Sequence, residues 1–299
     1  MSDAADRPHL TARQAAAYLQ INEKKLYELA NAREVPAARV GGKWLFPRVL
    51  LDQWLMEQAH GGLFADRLLV GGAADPILEA AVLALSDALG DDALVGCLAG
   101  NSAAGLAQLS ARRLDACAFH WGPAEASARQ QSALLVRQRH HEEWTCVRLA
   151  WRDVGVMLRP GLDVADLQTL LAYDYRWVLQ PPGSGSRYGL QLAVEAAGFR
   201  LEDCGEPLAV RSTRSAATAL ARGLADCSPG PRGTAAEHGL GFVPLGVESL
   251  DLALPRAVFF RQLFQHLLET VASAPILRVA GALGGYDLSP LGRVLPITP

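Results

Sequence analysis

The sequence predicts an α/β protein built from two units, a short helix-rich N-terminal unit and a larger unit in which strands alternate with helices. Three observations support this prediction. The chain has 299 residues, more than one typical domain, and half of its residues are apolar. The first sixty residues follow the order helix, turn, helix, hairpin, helix. After residue 66, short apolar segments are repeatedly followed by alanine-rich helical segments, which is typical of parallel sheets covered on both faces.

Charge and cysteine content indicate the compartment. The chain has 28 Lys and Arg against 31 Asp and Glu, a net charge of −3, so it is no polycation. Its five cysteines are scattered and never form a C-x-x-C, which argues against a disulfide framework or a zinc site. The first eight residues are polar, and no apolar run reaches the roughly 18 residues of a membrane span. We therefore expect a cytoplasmic protein with no signal peptide and no membrane partner.

Two short helices open the chain. Thr11 precedes the first helix and Asn22 precedes the second, residues 23–32, and both residue types are good N-caps. Apolar residues of each helix recur on one face, which predicts that this face packs inward. The polar residues left on the outer face of the second helix are Lys24, Lys25, Tyr27, Glu28 and Asn31.

A hairpin and a third helix complete the N-terminal unit. Residues 35–40 read as extended, Gly41-Gly42 as a tight turn and residues 43–46 as the returning strand. Pro47 then starts a helix over residues 48–58. Helix, turn, helix, hairpin, helix is the order of a winged helix-turn-helix.

The residues of this unit resemble the excisionase-like, MerR-related family of DNA-binding domains. The match runs over LTARQAAAYLQINEKKLYELANAREVPAARVGGKWLFPRVLLDQWL. The resemblance implies a DNA-binding domain over residues 1–60, with the second helix in the major groove and the hairpin wing against the backbone or minor groove. The DNA-binding residues predicted in this way are Arg13, Lys24, Lys25, Tyr27, Glu28, Lys43 and Trp44. The alternative is a small solvated unit used for protein contacts.

The larger unit, residues 66–299 after a linker at 61–65, alternates strands with helices. Apolar segments predict strands at 68–71, 94–98, 116–120, 146–151, 154–158 and 176–179. Helices are predicted at 76–89, 102–113, 163–172 and 188–197. Ligands of such sheets bind at the carboxyl ends of strands, where the helices begin.

Four turns of small residues precede helices in this unit: 72–76, 100–103, 183–187 and 211–215. A helix N-terminus has unpaired N–H donors and the positive end of the helix dipole. Four such ends converging on one cleft would bind an anion through amides and hydroxyls. Plain capping of each helix by its own serine is the alternative for these residues.

Residues 66–299 resemble the periplasmic-binding-protein-like domain found fused to such DNA-binding heads, which is related to molybdate-binding proteins of uptake systems. The matching segments include GGAADPILEAAV, PPGSGSRYGLQLAVEAAG, RSTRSAATALARGLADC and GGYDLSPLGR. The resemblance implies two lobes with mostly parallel sheets around a cleft. Lobe one would comprise 66–152 and 250–299, and lobe two 153–249.

The four helix starts would face one another across that cleft. The ligand-binding residues predicted there are Asn101, Ser102, His120, Ser184, Ser186, Arg187, Ser212, Thr213 and Ser215. Molybdate or tungstate is the effector that the resemblance implies, although GSGSR at 183–187 departs from the family's common GSGTR. Arg187 could clamp the anion or pair with Glu195. His120 could donate to the anion or pack at its strand end.

No catalytic or metal-binding constellation stands out. The sequence has no G-x-S-x-G motif and no Cys–His arrangement, and the neighbours in His140-His141-Glu142-Glu143 point in different directions. We therefore expect no cofactor and no enzymatic activity.

The predicted function is a one-component transcription regulator that binds double-stranded DNA and senses a small anion. We expect it to bind as a homodimer, with a contact near Val49, Leu50 and Trp54. The alternative is a cytosolic carrier or enzyme that uses the same cleft.

Overall fold

The structure is a computed structural model that describes residues 8–32, 34–58, 67–204 and 207–297. Contacts divide the chain into two units, Met1–Ala65 and Asp66–Pro299. The predicted linker at 61–65 lies outside the described residues. None of the described helices is long and apolar enough to cross a bilayer.

The N-terminal unit has the order of elements that the sequence predicts, with one strand more. Its helices are α1 (Ala12–Tyr18), α2 (Glu23–Asn31) and α3 (Arg48–Gln58). Its strands are β1 (His9–Thr11), β2 (Ala38–Val40) and β3 (Lys43–Pro47), in the antiparallel order β1-β3-β2. The predicted caps are confirmed, since Thr11 forms a capping box with Gln14 and Asn22 accepts from the N–H of Lys25.

A small apolar core holds the three short helices of this unit together. Leu26, Phe46 and Leu51 are fully buried at its centre. Trp54 packs against the same core, and its indole N–H donates to the Glu34 carbonyl at 2.8 Å. Because helices of seven to eleven residues are marginal alone, this shared core is what stabilises them.

The larger unit begins with three parallel strands joined by helices. In chain order the elements are β4 (Arg67–Ala73), α4 (Pro76–Leu89), β5 (Leu94–Gly100), α5 (Ser102–Ser110), β6 (Ala116–Phe119) and α6 (Ala124–Leu135). Strand β4 pairs in parallel with both β5 and β6. Helix α5 lies close to β4 because both contribute glycine at the crossing, where a Cβ on Gly105 would lie 2.5 Å from the Gly72 Cα.

A single long strand, β7 (Trp144–Leu158), then leads out of lobe one into lobe two. The sequence predicted two strands here, at 146–151 and 154–158. The polar residues Arg152 and Asp153 suggested a break between them, but the strand continues through both residues. The lobe boundary predicted at 152/153 therefore falls inside a continuous strand.

Lobe two is assembled from short strands and helices. In chain order these are α7 (Leu167–Ala172), β8 (Val178–Leu179), α8 (Gly185–Ala196), β9 (Leu208–Ala209), α9 (Thr213–Ala221), β10 (Cys227–Pro231) and α10 (Arg232–Glu237). Strands β8 and β9 form a parallel pair. Its apolar core includes Trp177, Leu190 and Val194.

A second long strand, β11 (Gly241–Pro255), returns to lobe one and pairs with β7 along almost its whole length. The chain ends with α11 (Arg256–Phe259), α12 (Gln262–Val271), α13 (Ala274–Leu283), β12 (Tyr286–Asp287) and β13 (Val294–Leu295). The main sheet has the order β10-β7-β11-β6-β4-β5, with β12 and β13 also pairing with β7. The predicted α/β class, with a helix-turn-helix unit and a two-lobed unit, is confirmed.

Candidate functional site

Helix α2 presents the predicted DNA-contacting side chains to solvent. Lys24, Lys25 and Glu28 are exposed, and Tyr27 keeps 39% of its surface accessible. Lys25 Nζ and Glu28 Oε2 lie 3.9 Å apart, a weak surface pair that does not prevent the lysine from reaching another anion. Arg13, on α1, is exposed as well.

The two predicted wing residues differ in their surroundings. Lys43 is exposed at the start of β3, opposite Val40. Trp44 is half-buried against the core of the unit, and the guanidinium of Arg39 lies 6.0 Å from its ring centroid. Arg39 is an exposed cation on the wing that was not predicted to contact DNA. Its position next to Val40 on β2 could have identified it from the sequence.

In the larger unit, three of the four predicted helix starts are capped by their own side chains. Asp75 caps α4, Asn101 caps α5 and Ser212 caps α9, each by accepting from N–H groups of the first turn. Those donors are therefore already used within the protein. Helix α8 differs, because its N-cap residue Ser184 makes no side-chain cap hydrogen bond.

Several predicted ligand hydroxyls already have protein partners. Ser102 is fully buried, and its Oγ donates to the His120 carbonyl at 3.2 Å and accepts from the His120 N–H at 3.3 Å. Ser212 Oγ lies 3.0 Å from Ser215 Oγ. Thr213 is buried and its methyl group faces Gly230. Plain structural roles therefore account for the contacts of Ser102, Ser212 and Ser215.

The two lobes touch at the start of α8. The Ala103 N–H of lobe one donates to the Gly183 carbonyl of lobe two at 3.4 Å. Trp121 and Tyr188 stack across the lobes with ring centroids 4.8 Å apart. On the other flank, Arg214 of α9 bridges Glu79 of α4 at 2.6 Å. The lobes are in contact around the place where the anion site was predicted.

Arg187 does not pair with Glu195, the alternative to anion binding that the sequence offered. Its Nη1 donates to the Gln180 carbonyl at 3.1 Å. Glu195, the proposed alternative partner, instead accepts from Gln191 Nε2 at 2.8 Å. The reason is helical spacing, because Gln191 lies one turn from Glu195 on the same face, whereas Arg187 lies two turns away.

Ser186 is the predicted residue whose hydroxyl is both buried and unpartnered. Its side chain retains 7% of its surface, and its Oγ has no hydrogen-bond partner. A buried hydroxyl without a partner loses its hydration and gains nothing in return. Such a group commonly marks a place where a ligand or water completes the site.

Ser186 opens onto a cavity of about 230 Å³ between the lobes. One wall is the Gly122-Pro123 turn of lobe one, and a second is formed by 154–155 and 245–248 of the two long strands. The third wall is one face of α8, from Ser186 through Gly189 and Leu190 to Ala193. Of the nine predicted ligand residues, the structure places Ser186 on the walls of this cavity.

A buried chain of charged groups lies behind the cavity wall at Glu248. His120 Nδ1 lies 2.7 Å from Glu248 Oε2, and Arg152 Nε donates to Glu248 Oε1 at 2.9 Å. Arg152 Nη1 also donates to Asp75 Oδ2 at 2.8 Å, and the Tyr286 hydroxyl donates to the same oxygen at 2.9 Å. Both long strands therefore contribute to one hydrogen-bonded network at the crossing between the lobes.

The network keeps Glu248 ionised in a buried place. Burial alone would raise the pKa of Glu248, but the charges and hydrogen bonds of His120 and Arg152 hold that pKa below its ordinary value. Burial also raises the pKa of the Tyr286 hydroxyl far above its usual range, with Asp75 adding to the shift. Tyr286 therefore remains a donor to Asp75 at neutral pH.

Sequence reasoning selected His120 but missed Arg152, Glu248 and Tyr286. The pairing of Arg152 with Glu248 follows from the register of β7 and β11, in which these two residues are direct partners. They are 96 positions apart in sequence, so no local pattern could have joined them.

In this chain a helix-turn-helix unit is followed by two lobes with a cavity at their crossing strands. This is the architecture of a DNA-binding head joined to a ligand-binding domain. A family model described as a PBP superfamily domain matches residues 87–272, more than half of the chain, and one described as a helix-turn-helix domain matches residues 10–59. The chain belongs to the PBP superfamily.

Solved structures share this architecture at low sequence identity. A mutant of OxyR from Corynebacterium glutamicum with bound H2O2 is 14% identical, with a TM-score of 0.52 over 94% of each chain. A substrate-binding protein from Clostridium perfringens with bound phosphate is 12% identical, with a TM-score of 0.54 over 75% of this chain and all of the other. At such identities the likeness establishes the fold alone. None of the curated proteins compared with the chain matches its sequence.

Proposed function

We propose that this chain is a one-component transcription regulator whose head binds operator DNA and whose two-lobed unit senses a small molecule between the lobes. One observation supports this most directly. A single chain joins a helix-turn-helix unit with exposed lysines to a two-lobed unit with a cavity between its lobes, and Ser186, whose buried hydroxyl is unpartnered, is among the residues that line this cavity. The regulator would act in the cytoplasm, where its DNA is.

The head would bind double-stranded DNA in the excisionase-like, MerR-related manner. Lys24 and Lys25 on α2 would neutralise phosphates beside the major groove, and Tyr27 and Glu28 would face base edges. Lys43 would contact the backbone from the wing. Arg39, exposed beside Lys43 and Trp44, would add a second cation there.

The head would read two half-sites as part of a homodimer. Val49 and Leu50 on α3 are 65% and 44% exposed, which is consistent with a contact between two copies. Trp54, the third residue predicted at that contact, packs within its own head and donates to Glu34. We therefore place the contact on Val49 and Leu50.

The effector suggested by the sequence resemblance is molybdate or tungstate, held near Ser184, Ser186 and Arg187. The uncapped start of α8 supports this proposal, because its N–H groups have no side-chain acceptor. The capped starts of α4, α5 and α9 do not support it, and they would contribute only if the lobes opened and the caps were displaced.

The cleft would bind its ligand without transforming it. Ser186 is the serine that lines the cavity, and its buried hydroxyl has no hydrogen-bonded base among the described residues. A serine nucleophile needs such a base within hydrogen-bond reach. A carrier or enzyme that uses the same cleft is the alternative.

An electrophoretic mobility shift with the full chain tests the proposal. The probe is DNA from upstream of the chain's own gene, with and without molybdate, tungstate and a set of small organic molecules. A regulator shifts the DNA, and at least one compound changes the apparent Kd. A chain that shifts no DNA at low salt, while calorimetry shows compound binding, is a carrier or an enzyme.

A further inference from the structure

We infer that the interlobe cavity binds an uncharged, largely apolar molecule about the size of a monosubstituted benzene ring. The inference rests on the proposed function, because it takes this cavity as the effector site. It names a different class of effector from the oxyanion that the sequence resemblance implies.

The size follows from the volume of the cavity. An apolar cavity of about 150 Å³ in a protein interior is large enough to hold benzene. The interlobe cavity is about 230 Å³. The difference leaves room for a substituent of a few atoms on such a ring.

The apolar character follows from the lining. Val154, Leu190 and Leu245 supply carbon surface, and glycines at 122, 155, 189, 230 and 246 leave space against the backbone. Two polar side chains, Ser186 and Glu248, complete the walls. A ligand that buries a ring against this surface gains hydrophobic free energy.

We infer an uncharged ligand from the residues around Glu248. Neither Lys nor Arg lines the cavity among the described residues, so an anion would lose its hydration with no cation on the walls to replace it. A cation would find that carboxylate already occupied, because Glu248 Oε1 accepts from Arg152 and Oε2 faces His120. An uncharged ligand avoids both penalties.

The test needs a variant that fills the cavity and leaves the fold intact, and Gly189 provides the position. Gly189 lies within α8 on the cavity wall, and a Cβ built there has no atom within 4 Å. Gly189→Leu therefore extends into open space and replaces a poor helix former with a good one. Gly281→Leu is the matched control, since Gly281 lies within α13 and also has no atom within 4 Å of a built Cβ.

The probes are three compounds with one ring and different charge, namely benzamide, benzoate and benzylamine, together with sodium molybdate. Titration calorimetry on the full chain measures each affinity. We expect benzamide to bind wild type about tenfold or more tightly than benzoate or benzylamine. Gly189→Leu should abolish that binding, and Gly281→Leu should keep it.

Three results overturn the inference: tighter binding of molybdate, benzoate or benzylamine than of benzamide, benzamide affinity unchanged in Gly189→Leu, or no binding of any ring compound to a folded wild-type chain. Tight molybdate binding that changes DNA affinity would overturn the effector class and leave the regulator proposal standing. Benzamide binding that Gly189→Leu abolishes, in a chain that binds no DNA at low salt, would support the effector class and overturn the regulator proposal.

Discussion

Arg152 lies between two buried carboxylates, Asp75 and Glu248, and its guanidinium donates to both. Arg152→Gln removes the positive charge and leaves both carboxylates buried without their partner. We expect the free energy of unfolding to fall by about 3–5 kcal/mol. Denaturant unfolding of the variant and wild type measures the difference.

Arg232→Gln is the matched control for this prediction, because Arg232 pairs with Asp153 at 3.0 Å with both side chains more than a third exposed. Its loss should cost about 0–1 kcal/mol. Equal costs for the two variants would contradict the stabilising role given to the buried network.

Asp226 is the second residue whose charge matters for stability. It accepts from Arg176 Nη2 at 2.9 Å and from Arg159 Nε at 2.8 Å, which joins the segments before β8 and after β7. The hydrogen bonds from Arg176 hold the pKa of Asp226 well below its usual range, with Arg159 adding to the shift. A depressed pKa means that the stabilisation is complete above the unfolded-state pKa of about 3.9 and is lost progressively as the pH falls from there through the lower folded-state pKa.

Asp226→Asn should therefore lower stability at pH 7 by about 1–3 kcal/mol, and by progressively less as the pH falls below about 4. Denaturant titrations of wild type and variant at a series of pH values measure this convergence. A difference that stays constant from pH 7 to pH 2 would show that the carboxylate charge is not responsible.

Interactions between residues close together in the chain could be predicted well from the sequence. Thr11, Asn22 and the position of Pro76 were predicted from residue type and spacing, because a cap acts on N–H groups within three residues. The hydroxyl of Ser102 was predicted to face a ligand, yet it bonds to His120, which is 18 residues away. That contact depends on how β6 and α5 come together, which the sequence does not state.

At the scale of elements, α2 and the wing are the parts that would touch DNA. Lys24→Ala, Lys25→Ala and Lys43→Ala should each reduce the slope of log K against log salt by about 0.9, because each lysine neutralises one phosphate. Fluorescence anisotropy at several salt concentrations measures the slope. Arg278→Ala, at an exposed position on α13, is the charge-matched control and should leave it unchanged.

Tyr27→Ala and Glu28→Ala should behave differently, since both residues would face bases. We expect them to change the preference among operator sequences more than the salt slope. If all three lysine variants keep the wild-type slope, the surface of α2 and β3 is not the DNA-binding face.

The helices could be predicted from periodicity, but the long strands could not be predicted completely. Polar residues in the middle of β7 suggested two strands, because a buried strand usually reads as a continuous apolar run. Arg152 is tolerated there because Glu248, on the neighbouring strand, neutralises it. Strand β1, with three residues, was missed because a strand this short has no periodicity to detect.

A regulator that reads two half-sites of an operator needs two heads, and therefore two copies of this chain. Light scattering at micromolar concentration should give twice the chain mass of 31.9 kDa. Val49→Asp with Leu50→Asp should shift the mass toward one chain, because burying the new carboxylates in the contact is costly. A wild-type mass of one chain, with and without DNA, would contradict the dimer.

The fold class and the two-lobed architecture were predictable, because strand–helix alternation and the family resemblance both extend along the chain. The chemistry of the cleft was not. Four helix starts looked alike in sequence, but three are capped by Asp75, Asn101 and Ser212. Only the packed arrangement distinguishes a capping serine from Ser186, whose hydroxyl has no hydrogen-bond partner.

The most direct test of the account is the affinity of the full chain for a labelled DNA fragment from its own upstream region, measured by anisotropy with and without saturating benzamide or molybdate. We expect DNA binding at low salt, and a change in Kd of about fivefold or more with the compound that occupies the cleft. Failure to bind any fragment, or an identical Kd with every compound that calorimetry shows to bind, would contradict the claim that the cleft controls the head.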